Sequence, residues 1–147
     1  MPVTAFWYGL GLKAIANKQV DFDSDVIKVA LCTATYAPDQ DAHDYFDDIT
    51  NEVSSSGTGY TAGGATLGSP TLTYTAGTNV LKLSGDNVSW AASTITARYA
   101  IIYDSSPGTA GTNPLLCYVD FGGNVTSTAG TFTITWAAGG IATITAA

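Results

Sequence analysis

Positive charge is scarce in this sequence: Lys13, Lys18, Lys28, Lys82 and Arg98 are the five cations of a 147-residue chain with 12 acids and a formal charge of −7. They are scattered and form no stripe. Contact with a phosphate backbone needs clustered Lys and Arg that release counterions, so the composition argues against a nucleic-acid partner. Histidine is scarcer still. His43 stands alone, and since histidine is the usual proton shuttle near neutral pH and the commonest transition-metal ligand, most acid–base and metal schemes fall away with it. There is no G-x-S-x-G elbow to present a nucleophile. Gly57-Thr58-Gly59 and Gly63-Gly64 have the wrong spacing and context for a dinucleotide loop and read as a flexible segment. No apolar run is long enough to span a bilayer, and the opening MPVTAFWYGLGLKAIANK lacks the basic region and cleavage site of a secretory leader. The expectation is a protein made in the cytoplasm, unprocessed, with no membrane partner, no cofactor and no enzymatic activity.

Cysteine is limited to Cys32 and Cys117, each inside an apolar run and neither in a C-x-x-C motif. Free cysteine behaves as a small hydrophobe, so the two read as buried thiols; a disulfide would require their strands to adjoin.

Charged residues make up 12% of the chain, about half the ~25% of an ordinary soluble domain. Polarity is supplied by Thr, Ser, Asn and Gly. β-Branched and aromatic side chains suit a pleated, half-buried surface, so the expected class is all-β: an antiparallel β-sandwich, jelly-roll-like or Ig-like, formed by residues 1–147 as one domain. One short helix is expected at the start, over Thr4–Asn17, with Thr4 as its cap and Phe6, Leu10 and Ala14 on one face; residues 1–19 then form an N-terminal helical anchor.

From Asp25 the period changes to two, and Val26–Thr33 reads as a central strand, apolar on both faces. Asp41–Ile49 suggests a helical turn, followed by an irregular Ser/Gly segment from Ser54 to Gly64. Strands follow at Thr71–Thr75, Asn79–Ser84, Asn87–Ala91, Thr94–Asp104, Leu115–Phe121, Gly130–Ala137 and Ile141–Ala146. Trp90-Ala91-Ala92 before Ile95-Thr96-Ala97 is echoed by Trp136-Ala137-Ala138 before Ile144-Thr145-Ala146, which suggests two hairpins with a tryptophan near each turn.

Two acidic stretches are candidates for cation chemistry. Asp21-Phe22-Asp23-Ser24-Asp25 imitates the start of a calcium loop, but Val26 stands where the sharp turn needs glycine and Cys32 where the bidentate glutamate belongs. Asp39, Asp41, Asp44, Asp47, Asp48 and Glu52 hold half of the acids. A solvated acidic face, a docking patch and a structural Ca²⁺ site remain open for them, and no metal ligand is assigned.

The run Val20-Asp21-Phe22-Asp23-Ser24-Asp25-Val26-Ile27-Lys28-Val29-Ala30-Leu31-Cys32, then Tyr36-Ala37-Pro38-Asp39-Gln40-Asp41-Ala42-His43-Asp44, resembles a group of tailed-phage virion structural proteins. Ile49–Val53, Gly57–Gly64, Ile95–Asp104 and Leu115–Gly123 extend that resemblance over nearly the whole chain. The resemblance implies a virion component present in many copies and, within that class, a capsid decoration or cement protein on the outer shell. Its partners would be the major capsid protein and other copies of itself, a trimer being one arrangement. The mechanism implied is adhesive, with Phe6, Trp7 and Tyr8 as apolar anchors and the acids Asp39, Asp41, Asp44, Asp47 and Asp48 as an electrostatic guide. Truncating Trp7, or deleting residues 1–12, is then expected to weaken particle binding more than folding. A tail-tube, tail-tip or fibre component, and a carbohydrate-binding adhesion module on the virion, are the competing readings.

Overall fold

The computed structural model describes residues 2–146, so Met1 and Ala147, the ends of the expected domain, lie outside it. Ten strands and one α-helix follow in the order β1 (Thr4–Trp7), α1 (Gly9–Ala16), β2 (Ile27–Cys32), β3 (Ala65–Thr66), β4 (Thr71–Thr75), β5 (Val80–Ser84), β6 (Val88–Ser93), β7 (Thr96–Asp104), β8 (Leu115–Thr126), β9 (Gly130–Ile134) and β10 (Ala142–Thr145). All pairings are antiparallel. A five-stranded sheet, β1-β8-β7-β2-β3, faces a three-stranded sheet, β10-β5-β4, and a two-stranded ribbon, β6-β9. The protein is thus all-β and sandwich-like, with a short helix near its N-terminus.

The alternation read from the sequence explains why the large sheet is buried on both faces. Ile27, Val29 and Leu31 of β2, Ala100 and Ile102 of β7, and Cys117 and Val119 of β8 point into the main core, where Leu83, Trp90, Phe132 and Ile134 of the smaller sheets meet them. Ala30, Cys32, Tyr99, Ile101, Tyr103 and Tyr118 point the other way, into a second core closed by Tyr8 and Tyr36 and flanked by Phe46 and Ile49. Cys32 and Cys117 therefore lie on opposite faces, with β7 between their strands, and both are free thiols. Burial pushes each thiol up to about 12.

Two expectations are corrected. The helix expected over Thr4–Asn17 begins only at Gly9, because Thr4–Trp7 pairs in register with Cys117–Asp120 and is a strand. Thr4 caps nothing. Tyr8 is the residue before the helix, and no side chain caps it. The two tryptophan hairpins do not form either. β6 pairs with β9 while β7 pairs with β2 and β8, and β10 pairs with β5, so Trp90-Ala91-Ala92 lies within β6 at its bulge and Trp136-Ala137-Ala138 in the connection from β9 to β10, and neither closes a hairpin.

Helix α1 is short and carries two glycines, yet it is held closely against β8. At Gly11 a Cβ would sit 2.8 Å from the Leu116 carbonyl oxygen and 3.0 Å from its Cα. Glycine is required here because the helix axis approaches the strand backbone more closely than any side chain permits.

Candidate functional site

The residues expected to act as anchors are separated by the strand they form. Phe6 and Tyr8 point into the second core, and Trp7 points into the first. Tyr8 is 0% exposed, and its hydroxyl pairs with that of Tyr36 at 2.9 Å. It is a core residue and offers nothing to a partner, because its ring and its hydroxyl are both already engaged. Phe6 is partly buried and stacks on Tyr118 with ring centroids 5.2 Å apart. Trp7 is half-buried and donates its indole N–H to the Thr143 carbonyl at 2.9 Å, tying β1 to β10. Deleting residues 1–12 would remove an edge strand and half of the helix, so that deletion tests folding before it tests binding.

The acidic segment runs along the start of β8. Asp39, Asp41 and Asp47 are exposed, whereas Asp44 and Asp48 are half-buried. Asp39 Oδ1 accepts from the amides of Asp41 and Ala42 at 3.0 Å, which holds its carboxyl below the usual range. Asp48 Oδ2 accepts from the Asp44 amide at 2.8 Å, while desolvation and the neighbouring Asp48 raise the Asp44 carboxyl. Glu52 Oε1 accepts from the Tyr60 hydroxyl and the Gly63 amide, both at 2.6 Å, and so pins the irregular Ser54–Gly64 segment. Tyr60 in turn receives the Leu31 amide at 3.0 Å, and its phenol is raised by burial first and by Glu52 second. The Asp39, Asp48 and Glu52 carboxylates thus accept backbone amides of nearby loop residues. Among the described residues no three His, Cys, Asp or Glu side chains converge as a metal site would require.

His43 is engaged in a similar way. Its Nδ1 is 2.9 Å from the Tyr36 hydroxyl, which completes a chain from Tyr8 through Tyr36 to the loop. The imidazole stacks on Tyr36 and lies beside Tyr8 at the border of the second core.

A wide concavity lies elsewhere, where the main core opens to solvent between the β1–β8 side and the β9–β10 arm. It has a volume of about 620 Å³. Val3 and Ala5 form one wall, Phe121 and Val125 the floor and rim, and Phe132, Ile134 and Trp136 the opposite wall. No charged residue lines it, in a chain of net charge −7. Val3 is 66% exposed and Val125 44% exposed, two of the most solvent-accessible large hydrophobics of the described residues.

The groove is produced by an excursion in β8. Tyr99 pairs with Asp120, but Ala97 pairs with Val125, so Phe121–Asn124 stand opposite Arg98 alone and β8 bulges outward. The excursion is braced at its base. Arg98 Nε and Nη2 each donate to Asp120 at 3.1 Å, and Asp120 Oδ1 also accepts from the Gly122 amide at 2.8 Å. The Arg98 hydrogen bond holds the Asp120 carboxyl below its ordinary range. Gly122 has φ +79°, which a side-chain-bearing residue adopts only with strain. The opposite wall is fixed by Trp136, whose indole N–H donates to the Asp86 carbonyl at 2.9 Å. β9 has a paired neighbour only on its β6 side, leaving its outer edge unpaired along the groove.

Sequence reasoning did not find this groove. Its residues come from four separated segments, and each reads singly as ordinary strand. The one signal was Phe121-Gly122-Gly123, since paired glycines inside a strand mark a bulge. No family model, no curated protein sequence and no solved structure matches this chain.

Proposed function

We propose that the chain is a non-enzymatic virion structural protein that decorates the outer capsid shell. In this reading it bridges neighbouring capsid subunits, and the groove over Phe121 and Val125 is the seat for an extended apolar segment of the major capsid protein. The observation that carries the reading is the uncharged groove with an unpaired strand edge on an otherwise acidic molecule. Such a site takes an extended segment by adding main-chain hydrogen bonds at the edge and apolar contacts at alternate side chains. Its volume lies within the ~300–1,000 Å³ of ligand-binding clefts and is too small to seat a folded domain. The resemblance of the long Val20–Asp44 stretch to tailed-phage virion proteins supplies the partner. The exposed Asp39, Asp41 and Asp47 supply an orienting field and little affinity, as rim charges do.

Adhesion then works by summation. Each copy buries a modest apolar surface, and many copies on a lattice raise the free energy of separating the shell, through avidity and without any single tight site. The test is binding of the purified protein to particles stripped of it, with occupancy read by cryo-electron microscopy. Val125→Asp puts an unpaired charge at the buried joint; such a charge costs about 3–5 kcal/mol, so particle affinity should fall by roughly 100-fold or more. The fold should survive, because Val125 is at the rim. Density on tail rings or at the tail tip would transfer the protein to the tail, and unchanged occupancy of the Val125→Asp variant would remove the groove from the contact.

A further inference from the structure

Strand β4, Thr71-Leu72-Thr73-Tyr74-Thr75, is the outer edge of the three-stranded sheet. Natural edge strands are blunted by charge, proline, bulges, shortness or a covering element. Of the other edges, β3 is only two residues long, β6 is broken by a bulge between Trp90 and Ser93, and β10 is tied to β1 through Trp7, while the open outer edge of β9 lines the groove. β4 has none of them within its span. It has no charged residue and no proline, and its register with β5 is unbroken from Thr71↔Ser84 to Thr75↔Val80. Four of its five residues are exposed, and Leu72 is half-buried. Tyr74, at 56% exposure, is held in place by donating its hydroxyl to Asn79 Oδ1 at 3.1 Å.

The sequence of this edge reads the same in both directions by residue class. Thr, apolar, Thr, apolar, Thr is therefore self-complementary in an antiparallel pair centred on Thr73. Thr71 would face Thr75 of a second copy, Leu72 would face Tyr74, and Thr73 would face its own counterpart on the twofold axis. Thr–Thr and aromatic–aliphatic pairs are favourable cross-strand partners. The faces also agree. Leu72 and Tyr74 share a face with Leu83 and Leu81, and beyond them with Ala142 and Ile144 of β10. Leu83 is 0% exposed, Leu81 and Ile144 are half-buried and Tyr74 is open, so this apolar face is covered at one end and bare toward the hairpin tip. Charge does not oppose the pairing. Lys82, opposite Thr73, is the only charged residue of the β4–β5 hairpin. The two Lys82 side chains would be separated by three strand spacings, about 14 Å, which is beyond the Debye length of about 8 Å at physiological salt.

We infer that β4 is a self-association edge, pairing antiparallel with β4 of a second copy about a twofold axis at Thr73 to make one six-stranded sheet. A second copy is the occupant because the edge complements itself in sequence, face and charge. The pairing is isologous and closes at two copies, so it gives a dimer without fibre growth. Five residues of strand are a small contact, below the ~800 Å² per partner of a standard interface, so the dimer is weak, forming reversibly at micromolar or higher concentration. It stands independently of the capsid reading, because it concerns the purified chain alone.

The test is sedimentation equilibrium of the full chain over a wide concentration range. The wild type should show a reversible monomer–dimer equilibrium. Thr73→Glu and Thr73→Lys should each weaken the dimer by more than about 100-fold, since like charges would meet on the axis. Mixing the two variants should restore a heterodimer, which only residue 73 facing itself explains. Under mild oxidation Thr73→Cys should cross-link to itself while Thr71→Cys alone should not, and the buried native thiols should stay silent. A wild type that stays monomeric throughout, a dimer that survives either charge, or a Glu/Lys mixture that fails to associate would each overturn the proposal.

Discussion

Replacing Gly11 by alanine sets two effects of opposite sign against each other. In an isolated helix the change would be favourable by about 0.8–1 kcal/mol, since glycine is the poorest helix former apart from proline. In this protein the added methyl has no room. It would fall within contact of the Leu115 carbonyl oxygen, 2.8 Å from that of Leu116 and 3.0 Å from the Leu116 Cα, and all three are backbone atoms that cannot rotate away. Helix α1 would have to withdraw from β8, stretching the hydrogen bond from the Tyr8 amide to the Leu116 carbonyl, now 3.0 Å. Overpacking costs about 1–3 kcal/mol and a weakened buried hydrogen bond about 1 kcal/mol, so the clash outweighs the propensity gain. The expected net destabilisation is about 1–3 kcal/mol. At ~2–4 °C per kcal/mol for a chain of this size, the melting temperature should fall by several degrees. Gly9→Ala is the internal control. Its Cβ would meet only the Gln40 carbonyl, at an ordinary 3.4 Å, so the propensity term should dominate and the variant should be as stable as the wild type or slightly more so. Thermal and urea unfolding of both variants decides the matter. A Gly11→Ala protein at least as stable as the wild type would refute the close approach of α1 to β8.

The tyrosine chain predicts an asymmetry. Tyr36→Phe leaves the Tyr8 hydroxyl without a partner at 0% exposure and should cost about 1–3 kcal/mol in urea unfolding. Tyr8→Phe leaves Tyr36 still bonded to His43 and should cost less. Cys32 and Cys117, both 0% exposed and raised to about 12, should resist a thiol-specific disulfide reagent at neutral pH and react together once the chain is unfolded. Asp104 is 1% exposed, its Oδ2 lacks a hydrogen-bond partner, and burial with Asp25 nearby raises its carboxyl. Between the ordinary carboxyl value and the raised one, the folded state keeps a proton that the unfolded chain has lost, so stability falls as pH rises through that window. Asp104→Asn should therefore add on the order of 1 kcal/mol at neutral pH. That gain should shrink on acidification through the same window, as followed by urea midpoints.

The strands were legible where the period of two was clean. Thr71–Thr75 matches the expected span, and the Val26–Thr33 expectation brackets β2, because alternation and β-branched residues agree there. The N-terminal segment misled because Phe6, Leu10 and Ala14 do fit a helical stripe, while pairing of Thr4–Trp7 with β8 overrides that local preference. The tryptophan echo misled for a related reason. Turn chemistry identifies where a strand ends but not which sheet receives the next one. β8 ran five residues past its expected end at Phe121, since Gly122 and Gly123 punctuate a bulge and not a stop. The groove was illegible because it depends on that bulge together with segments more than a hundred residues apart, of which Val3 and Trp136 are two.

The positions of the two proposed contact surfaces bear on how one small protein could act on a lattice. The groove lies on the side of the three-stranded sheet where β10 meets β1, and β4 is the opposite edge of that sheet. A segment seated over Phe121 and Val125 would leave Thr71–Thr75 free, so shell binding and pairing between copies need not compete. Two weak contacts held at fixed separation by rigid strands raise each other's effective concentration, and a pair of copies would engage two shell sites where a monomer engages one. Thr73→Glu supplies the measurement that links them. It leaves the groove intact and removes only the pairing, so its affinity for stripped particles should fall toward that of a single copy, while Val125→Asp should weaken particle binding by the roughly 100-fold or more expected of a charge in the groove and leave the dimer unchanged in solution.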